Sequence, residues 1–290
     1  MREVVGGGGL RLVVDPDNGG RVVSLTHDGF EWLAPSTPAP AGAADFEHPG
    51  MGGWDEALPT IAASASLPDH GDLWNTAWTV VPSTDGSVVL DARSASSEVS
   101  LRRTIAATDD GIELRYHAST DADGDRPFLW SAHPVMTAEP GTTFHLPGVR
   151  TVLGEYPDPG RAIDVPPGSW IDEAAGRPAG FKAFVRSDAL RPDPSGSHTR
   201  GADTSGPGPW VTAGVRRSDG RGLDLSWDPT EIPWLGLYWD SGEFSARPVL
   251  ALEPTNAGTD HADRADALWS VRRDRPRAWR FRVRPASPSR

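Results

Sequence analysis

Short runs of alternating apolar residues, each ended by a turn sequence rich in Gly, Pro, Asp or Asn, recur along most of this chain. Residues 10–14, 21–26 and 30–33 are three such runs, separated by turn sequences at 15–20 and 27–29. Period-two alternation between turns is typical of antiparallel hairpins. The 32 glycines and 28 prolines are spread along the chain, which disfavours long helices. We therefore expect an all-β protein.

The same pattern predicts further strands in both halves of the chain, at residues 77–81, 87–119, 128–132, 210–215, 223–227, 235–239, 249–253 and 279–283. Residues 154–210 are dense in Pro, Gly and Asp, which predicts long surface loops and a mobile segment at 191–208. A short helical pattern occurs at 260–268. No change of composition marks a linker and no repeat has a fixed period, so we expect residues 1–290 to form one domain.

Charge and composition exclude several classes of function. A net charge of -12 is unsuited to binding nucleic acid or an anionic membrane. There is no cysteine, so the chain has no disulfide or thiolate nucleophile. The 28 basic residues include a single lysine, Lys182, a usage that fits the base composition of the genome. The N-terminal segment lacks the apolar core of a signal peptide, and we expect a cytoplasmic protein.

The chain has 12 tryptophans, and several of them adjoin polar residues, as in Trp54-Asp55, Trp74-Asn75 and Trp239-Asp240. Sugar-binding clefts often place flat aromatic rings against the apolar face of a pyranose, with polar groups at the rim. Burial in the core is the alternative for each individual tryptophan. The tryptophan usage therefore makes a carbohydrate ligand one interpretation.

Glu253 ends an apolar run at 250–252 and precedes a turn sequence that begins with Pro254. A carboxylate held by a strand and open to a cleft is a candidate general base. A solvated glutamate at the end of a strand is the alternative. Two upstream histidines, His70 and His133, also lie beside Gly, Pro or Trp at predicted strand edges, although each can instead belong to an ordinary turn.

Several better-known motifs are missing. The histidines do not have the helical spacing of a zinc protease, and there is no nucleophile elbow, P-loop or dinucleotide fingerprint. Asp15, Asp17 and Asn18 begin like a calcium loop, but the glycine and distal glutamate of that motif are missing, which favours a simple turn. We expect neither a metal nor a cofactor.

The three site motifs, taken in order, resemble those of the aldose 1-epimerase (galactose mutarotase) superfamily: Asp69-His70-Gly71, His133-Pro134, and Leu252-Glu253-Pro254-Thr255-Asn256 with Asp260. The resemblance extends over most of the chain. It implies a galactose mutarotase-like β-supersandwich of many antiparallel strands with an open cleft. It also implies cofactor-independent catalysis in which Glu253 is the general base, His133 the general acid, and His70 a second histidine that orients the sugar ring.

The chain departs from the galactose-specific pattern where that pattern has an Asn-Arg pair, because residues 53–56 are Gly-Trp-Asp-Glu. Asp55 is a candidate to accept hydroxyl hydrogen bonds in place of the arginine's donors. Trp54 and Trp74 are candidates to stack on the sugar. Asp240 is a further candidate hydroxyl-binding carboxylate, although an aspartate before Ser-Gly is also an ordinary turn residue.

Our leading hypothesis is an enzyme that interconverts the α and β anomers of a free hexose or related aldose, as a monomer or homodimer. A carboxylate and an imidazole can move the two protons that ring opening and reclosure require. A phosphorylated hexose is a variant that needs converging arginines, for which Arg150, Arg161 and Arg247 are candidates. The alternatives are a non-catalytic carbohydrate-binding or sensor protein, and a lyase-type reaction on the same fold.

Overall fold

The structure is a computed structural model that describes residues 1–37, 46, 51–165, 180–192 and 210–286. It confirms the all-β prediction, since the described residues form twenty-one strands and one 3-10 turn, Ser187–Ala189. The strands of the N-terminal half are β1 Glu3–Gly7, β2 Leu10–Asp15, β3 Arg21–His27, β4 Phe30–Glu31, β5 Gly53–Ala57, β6 Thr79–Val81, β7 Val88–Arg93, β8 Ser100–Ala107, β9 Ile112–Ser119, β10 Arg126–Phe128 and β11 Ser131–Thr137. Those of the C-terminal half are β12 Thr143–His145, β13 Thr151–Tyr156, β14 Ala162–Asp164, β15 Gly180–Arg186, β16 Val211–Arg216, β17 Gly222–Trp227, β18 Trp234–Asp240, β19 Val249–Thr255, β20 Trp269–Val271 and β21 Arg277–Pro285.

These strands form two large antiparallel sheets and one small one. The first sheet has the order β1-β2-β3-β5-β11-β19-β18-β15-β13-β14, with β4 added beside β3. The second has the order β12-β16-β17-β21-β9-β8-β7-β6, and β10 pairs with β20 alone. Strands β11, β19, β18 and β15 are therefore neighbours in the middle of the first sheet, although they come from distant parts of the chain.

The core lies between the two large sheets. Trp54 of β5 stacks on Phe281 of β21, with ring centroids 5.7 Å apart. Along β19, Leu250 and Leu252 belong to this core. Because successive side chains of a strand point to opposite faces, Glu253 lies on the other face of the first sheet.

A buried polar cluster also joins the sheets. Glu56 of β5 accepts hydrogen bonds from Arg103 Nη1 at 3.0 Å, from the Tyr116 hydroxyl at 2.8 Å and from Trp130 Nε1 at 2.8 Å. All four side chains are buried, and burial of polar groups is tolerated where they are hydrogen-bonded in this way. The cluster fixes β5, whose next residue toward the N-terminus, Asp55, faces the opposite side.

Two expectations for the irregular parts of the chain are wrong. The sequence predicts loops over residues 154–210, yet β14 and β15 lie within this segment. Of the predicted mobile segment 191–208, residues 193–208 lie outside the described residues. Residues 260–268 form turns instead of a helix. The reason is that the backbone groups of Asp260 form hydrogen bonds with residues distant in sequence instead of with a helical turn. Its carbonyl accepts from the Ala62 N–H at 2.8 Å, and its own N–H donates to Glu155. Within the described ranges, no helix has the length and apolar character needed to cross a membrane.

Strands β11 and β19 continue past the points where the sequence predicts their ends. Both contain a proline, Pro134 and Pro254, and a proline without an N–H usually marks an edge or an end. In the structure, the register between β11 and β19 pairs Ser131 with Thr255 and resumes at Val135 with Ala251, leaving an interruption between them. The prolines lie in this interruption, so the residues before them sit within the sheet and not at its border.

Candidate active site

Four polar side chains from four adjacent strands share the open face of the first sheet: His133 of β11, Glu253 of β19, Tyr238 of β18 and Lys182 of β15. Their neighbours along each strand, such as Leu252, point into the core. Alternation in four strands therefore brings together side chains that are as many as 120 positions apart in sequence.

Gly236 leaves the space through which Lys182 reaches Glu253. It pairs with Glu253 on one side and with Phe184 on the other. A Cβ at Gly236 would lie 3.3 Å from Glu253 Oε2 and 3.3 Å from the Phe184 ring. Across this gap Lys182 Nζ lies 2.5 Å from Glu253 Oε2 and 3.3 Å from Asp260 Oδ1. One ammonium group is thus shared by two carboxylates.

Asp260 is held in place by Glu155 of β13. Glu155 Oε1 accepts hydrogen bonds from the Asp260 N–H at 3.1 Å and from the Thr259 hydroxyl at 2.8 Å. The carbonyl of Asp260 accepts from the backbone of Ala62. The position of the Asp260 carboxylate is therefore fixed by its backbone, and its partly exposed side chain faces the cleft.

Burial and charge act in opposite directions on Glu253. Its side chain has no exposed surface, and burial raises the pKa of its carboxyl from the ordinary 4.5, against the attraction of Lys182. Asp260 raises the pKa of Glu253 further. Burial disfavours the charge of Lys182, but Asp260 and Glu253 together raise the pKa of Lys182 from 10.5, so it is an ammonium at neutral pH.

His133 lies on the other side of the same carboxylate. Its Nε2 is 3.6 Å from Glu253 Oε1, and burial, with smaller contributions from His70 and Lys182, holds the pKa of His133 well below 6.5. The imidazole is therefore neutral at neutral pH. Both His133 Nδ1 and Glu253 Oε1 are buried without a hydrogen-bond partner among the described residues. Buried polar atoms in native proteins usually have partners, so these two atoms are exceptions that call for an explanation.

His70 stands at a turn beside these groups, with a φ of 54°. Its Nδ1 lies 3.0 Å from Asp69 Oδ1, which orients the ring. The ring stacks on Phe46 at 3.8 Å and lies 5.1 Å from the His133 ring. The structure thus brings His70, His133 and Glu253, the three residues singled out in the sequence, to one place.

A cleft of about 260 Å³ opens over this group. His70, His133, Lys182 and Asp260 are part of its lining, and Glu253 lies directly beneath them. The aromatic side chains on its walls are Tyr156, Tyr238 and Phe244. Its volume is close to the lower end of small-molecule sites, which begin at roughly 300 Å³.

The two tryptophans expected to stack on a ligand do not line the cleft. Trp54 is buried against Phe281 on the core side of β5. Trp74 is buried beneath the His70 turn, where its Nε1 donates to the carbonyls of Asp69 at 3.1 Å and Gly71 at 3.0 Å. Trp54 therefore packs the core, and Trp74 supports the backbone that carries His70.

The two aspartates expected to bind hydroxyls already have protein partners. Asp55 Oδ1 accepts from Arg21 Nε at 2.6 Å, and both side chains are buried, while Asp55 Oδ2 has no hydrogen-bond partner among the described residues. Burial raises the pKa of Asp55, with Arg21 opposing it. The carboxylate of Asp240 accepts four backbone N–H groups of the following loop, from Gly242, Glu243, Phe244 and Ser245. Asp240 is the turn residue that its Ser-Gly sequence also predicted.

Sequence reasoning missed Lys182, Arg21 and the exposed aromatic pair Tyr156 and Phe244. The signal for Lys182 was its status as the single lysine among 28 basic residues. Arg21 comes from β3, far in sequence from the 53–56 cluster that lacks an arginine, and pairs with Asp55. The Tyr156 and Phe244 rings lie 5.5 Å apart and are about one-third exposed, at 36% and 37%.

Two further groups of candidates can be placed. Arg150, Arg161 and Arg247 do not belong to the described lining of the cleft, and Arg161 pairs with Asp158 at the surface. In the described part of the chain, no three His, Asp or Glu side chains are arranged to hold a metal ion. Lys182 supplies positive charge on the described lining.

Comparison with models of protein families finds no match, and comparison with curated protein sequences finds none either. Solved structures do match. The galactose mutarotase related enzyme from Lactobacillus acidophilus is 12% identical, with a TM-score of 0.70 over 100% of this chain and 98% of that one. The galactose mutarotase-like protein from Lactobacillus casei is 15% identical, with a TM-score of 0.65 over 99% and 100%.

The Slr1438 protein from Synechocystis sp. PCC 6803 matches equally broadly, with 15% identity and a TM-score of 0.73 over 99% of this chain and 96% of that one. The chain therefore has the galactose mutarotase-like fold, as its motifs implied. At this level of identity the likeness establishes the fold.

Proposed function

We propose that this protein is a cofactor-independent aldose 1-epimerase that interconverts the α and β anomers of a free aldose. The observation that carries the proposal is that two buried atoms under the cleft, Glu253 Oε1 and His133 Nδ1, have no hydrogen-bond partner among the described residues, on side chains that approach to 3.6 Å. A sugar hydroxyl and ring oxygen supply the partners that these atoms lack.

The reaction needs two proton transfers. The reacting form has Glu253 ionised and His133 as its imidazolium, a minor species at neutral pH that the lowered pKa of His133 makes a strong acid. Glu253 accepts the proton of the anomeric hydroxyl while the His133 imidazolium gives its proton to the ring oxygen. The bond between C1 and the ring oxygen breaks to leave an aldehyde, a protonated Glu253 and a neutral His133. Rotation about C1–C2 presents the other face of the aldehyde. The ring oxygen then attacks that face, and both protons return to their starting groups.

The electrostatics of the site suit such a reversible exchange. Burial raises the pKa of Glu253 and lowers the pKa of His133, so the proton affinities of the two groups are drawn together. Transfer in either direction then has a small energetic cost.

The rest of the cleft supports sugar binding. His70, oriented by Asp69, presents its second ring nitrogen for a hydroxyl or the ring oxygen. Tyr156 and Phe244 offer the aromatic surface against which the C–H face of a pyranose packs. In this proposal they take the role that the sequence suggested for Trp54 and Trp74.

Proton NMR of anomeric exchange across a panel of aldoses tests the proposal. We expect the wild type to accelerate exchange of at least one sugar, and Glu253→Gln to lose about 10² to 10⁴ of that acceleration because the base is removed. Glu113→Gln, a carboxylate on β9 paired with Arg282 in the second sheet, is the matched control and should retain full activity. Full activity of Glu253→Gln would refute the assignment of the base.

A carbohydrate-binding protein without turnover is the second candidate. It is favoured by the 2.5 Å contact of Lys182 with Glu253 Oε2, which occupies one oxygen of the base. The same experiment separates the two candidates. Saturable binding of a sugar without faster exchange, for every sugar tested, would establish binding alone.

A further inference from the structure

We infer that Lys182 and Asp260 are positioning residues that together set the proton affinity of Glu253, with Lys182 keeping the carboxylate ionised and Asp260 keeping it basic. This inference rests on the proposed role of Glu253 as the base. It assigns a function to the single lysine of the chain and to a carboxylate in the loop after β19, neither of which acts on the sugar in the mechanism above.

The contacts of Lys182 are specific. Its side chain is almost fully buried, and its Nζ lies 2.5 Å from Glu253 Oε2 and 3.3 Å from Asp260 Oδ1. It crosses β18 at Gly236, where a Cβ would crowd Glu253. A buried carboxylate without a cation is strongly driven to its protonated form, in which it cannot act as a base. Lys182 provides that cation.

Asp260 prevents Lys182 from weakening the base too far. An isolated buried ion pair holds its carboxylate as a poor proton acceptor, because protonation would strand the ammonium. With Asp260 present, the three groups carry a net charge of minus one when Glu253 is ionised and zero when it is protonated. The ammonium therefore has a counter-ion in both states. Glu253 can take up a proton without leaving a buried cation unpaired.

The other groups that face Glu253 do not duplicate this role. His133 on β11 is kept neutral by burial, with a pKa well below 6.5. His70 approaches from the turn at 69–71 and pairs with Asp69, while Tyr238 on β18 donates its hydroxyl to Asp240. Lys182 is the cation in contact with the Glu253 carboxylate among the described residues.

A lysine suits this position better than an arginine. A guanidinium binds a carboxylate through two parallel hydrogen bonds and would engage both oxygens of Glu253. An ammonium is a point charge with three donors, so it can contact Oε2 alone and turn a second donor toward Asp260. Glu253 Oε1 is then left without a hydrogen-bond partner, as it is among the residues that the structure describes. All of the remaining Lys or Arg positions in the chain are arginine.

The test measures the protonation of Glu253 directly and through the pH dependence of the rate. In protein labelled with ¹³C at the glutamate carboxyl, the Glu253 resonance is identified by its absence from Glu253→Gln. Asp260→Asn should move the Glu253 titration and the acid limb of kcat/KM to lower pH, and Lys182→Met should move both to higher pH. Each shift should be at least about one pH unit, a tenfold change in proton affinity.

Asp91→Asn is the control variant. It removes an exposed carboxylate that pairs with Arg102 on the second sheet, at 2.6 Å, and it should leave the Glu253 titration and the acid limb of kcat/KM unchanged. Lys182→Arg, which restores the positive charge, should return the titration toward wild type. Shifts in the same direction for Asp260→Asn and Lys182→Met, or no shift for Asp260→Asn, would overturn the inference.

If Lys182→Met does not fold, the direction of the Glu253 titration shift in Asp260→Asn tests the inference by itself. We expect Asp260→Asn to fold, because the Asp260 side chain is partly exposed and its backbone contacts are unchanged. If the wild type accelerates no anomeric exchange, the proposed function fails. The carboxyl titration still reports whether the Lys182 and Asp260 pair controls Glu253.

Discussion

Lys182 Nζ lies 2.5 Å from Glu253 Oε2, although the two residues stand on strands separated by β18. The contact exists because Gly236, between them, has no side chain. Backbone pairing alone places Lys182 beside Tyr238 and Glu253 beside Gly236, so the ion pair runs diagonally across the sheet. The ion pair of Glu253, the candidate base, therefore depends on the glycine at position 236.

Gly236→Ala should impair the proposed reaction with little loss of fold. The new Cβ would lie 3.3 Å from Glu253 Oε2, which is tight enough to displace the carboxylate by a few tenths of an ångström. Misplaced catalytic groups can lower rates by about 10²-fold. Anomeric exchange measured by NMR, beside thermal unfolding, checks this.

Gly6→Ala on β1 is the matched control, since its Cβ would lie 3.4 Å from the Leu10 carbonyl in ordinary contact and far from the site in the sheet order. It should retain activity. Equal activity of Gly236→Ala and Gly6→Ala would contradict the proposed importance of the gap at Gly236.

Phe244→Ala should weaken sugar binding while leaving the chemical step intact. Its ring is 37% exposed at the cleft and packs edge-on against Tyr156, so its loss removes a stacking surface without emptying the core. An aromatic contact of this kind contributes about 0.5–1.5 kcal/mol, which corresponds to a rise in KM of roughly 2- to 12-fold with kcat retained. Val80→Ala, an exposed apolar residue on the second sheet, is the control. A fall in kcat with unchanged KM would argue against a binding role.

The sequence predicts the fold well because its main signals are local. Alternation and turn residues in segments such as 10–33 report directly on hairpins, and the observed strands β2, β3 and β4 lie there. The motifs around His70, His133 and Glu253 were also visible, and the three side chains meet at one cleft. The prediction is wrong at the ends of two strands, because β11 and β19 continue through Pro134 and Pro254, whereas a proline usually lies at the edge or end of a strand.

The remainder of the site depends on contacts that the sequence does not encode locally. Lys182 meets Glu253 only through the order of β15, β18 and β19, which no single segment specifies. The exposure of the tryptophan rings was likewise not predictable from their neighbours in sequence. Trp54 and Asp55 are adjacent in sequence but point to opposite faces of β5, so a polar neighbour gave no information on the exposure of the ring.

Trp74→Phe should reduce activity by loosening the His70 turn. The indole N–H donates to two carbonyls of that turn, and phenylalanine keeps the apolar packing but lacks the donor. Each lost hydrogen bond to a buried carbonyl costs about 1–2 kcal/mol locally. We expect slower anomeric exchange, with faster amide hydrogen exchange confined to residues 69–74. Unchanged hydrogen exchange there would show that the indole does not support the turn.

His133 gives the protein a specific dependence of stability on pH. Burial lowers the pKa of His133 in the folded state well below 6.5, whereas the unfolded chain binds its proton near 6.5. The unfolded state therefore holds more protons as the pH falls below 6.5. The free energy of unfolding then decreases by up to about 1.4 kcal/mol per pH unit until the folded pKa is reached.

His133→Asn should remove this contribution and leave the pH dependence of Glu253, whose raised pKa acts in the opposite sense because the folded state binds the extra proton. Urea unfolding of both proteins between pH 7 and pH 5 measures the difference. The wild type should lose stability relative to the variant as the pH falls through this range. Parallel curves would mean that His133 takes up its proton over the same pH range in the folded and unfolded protein, which would contradict the lowering of its pKa by burial.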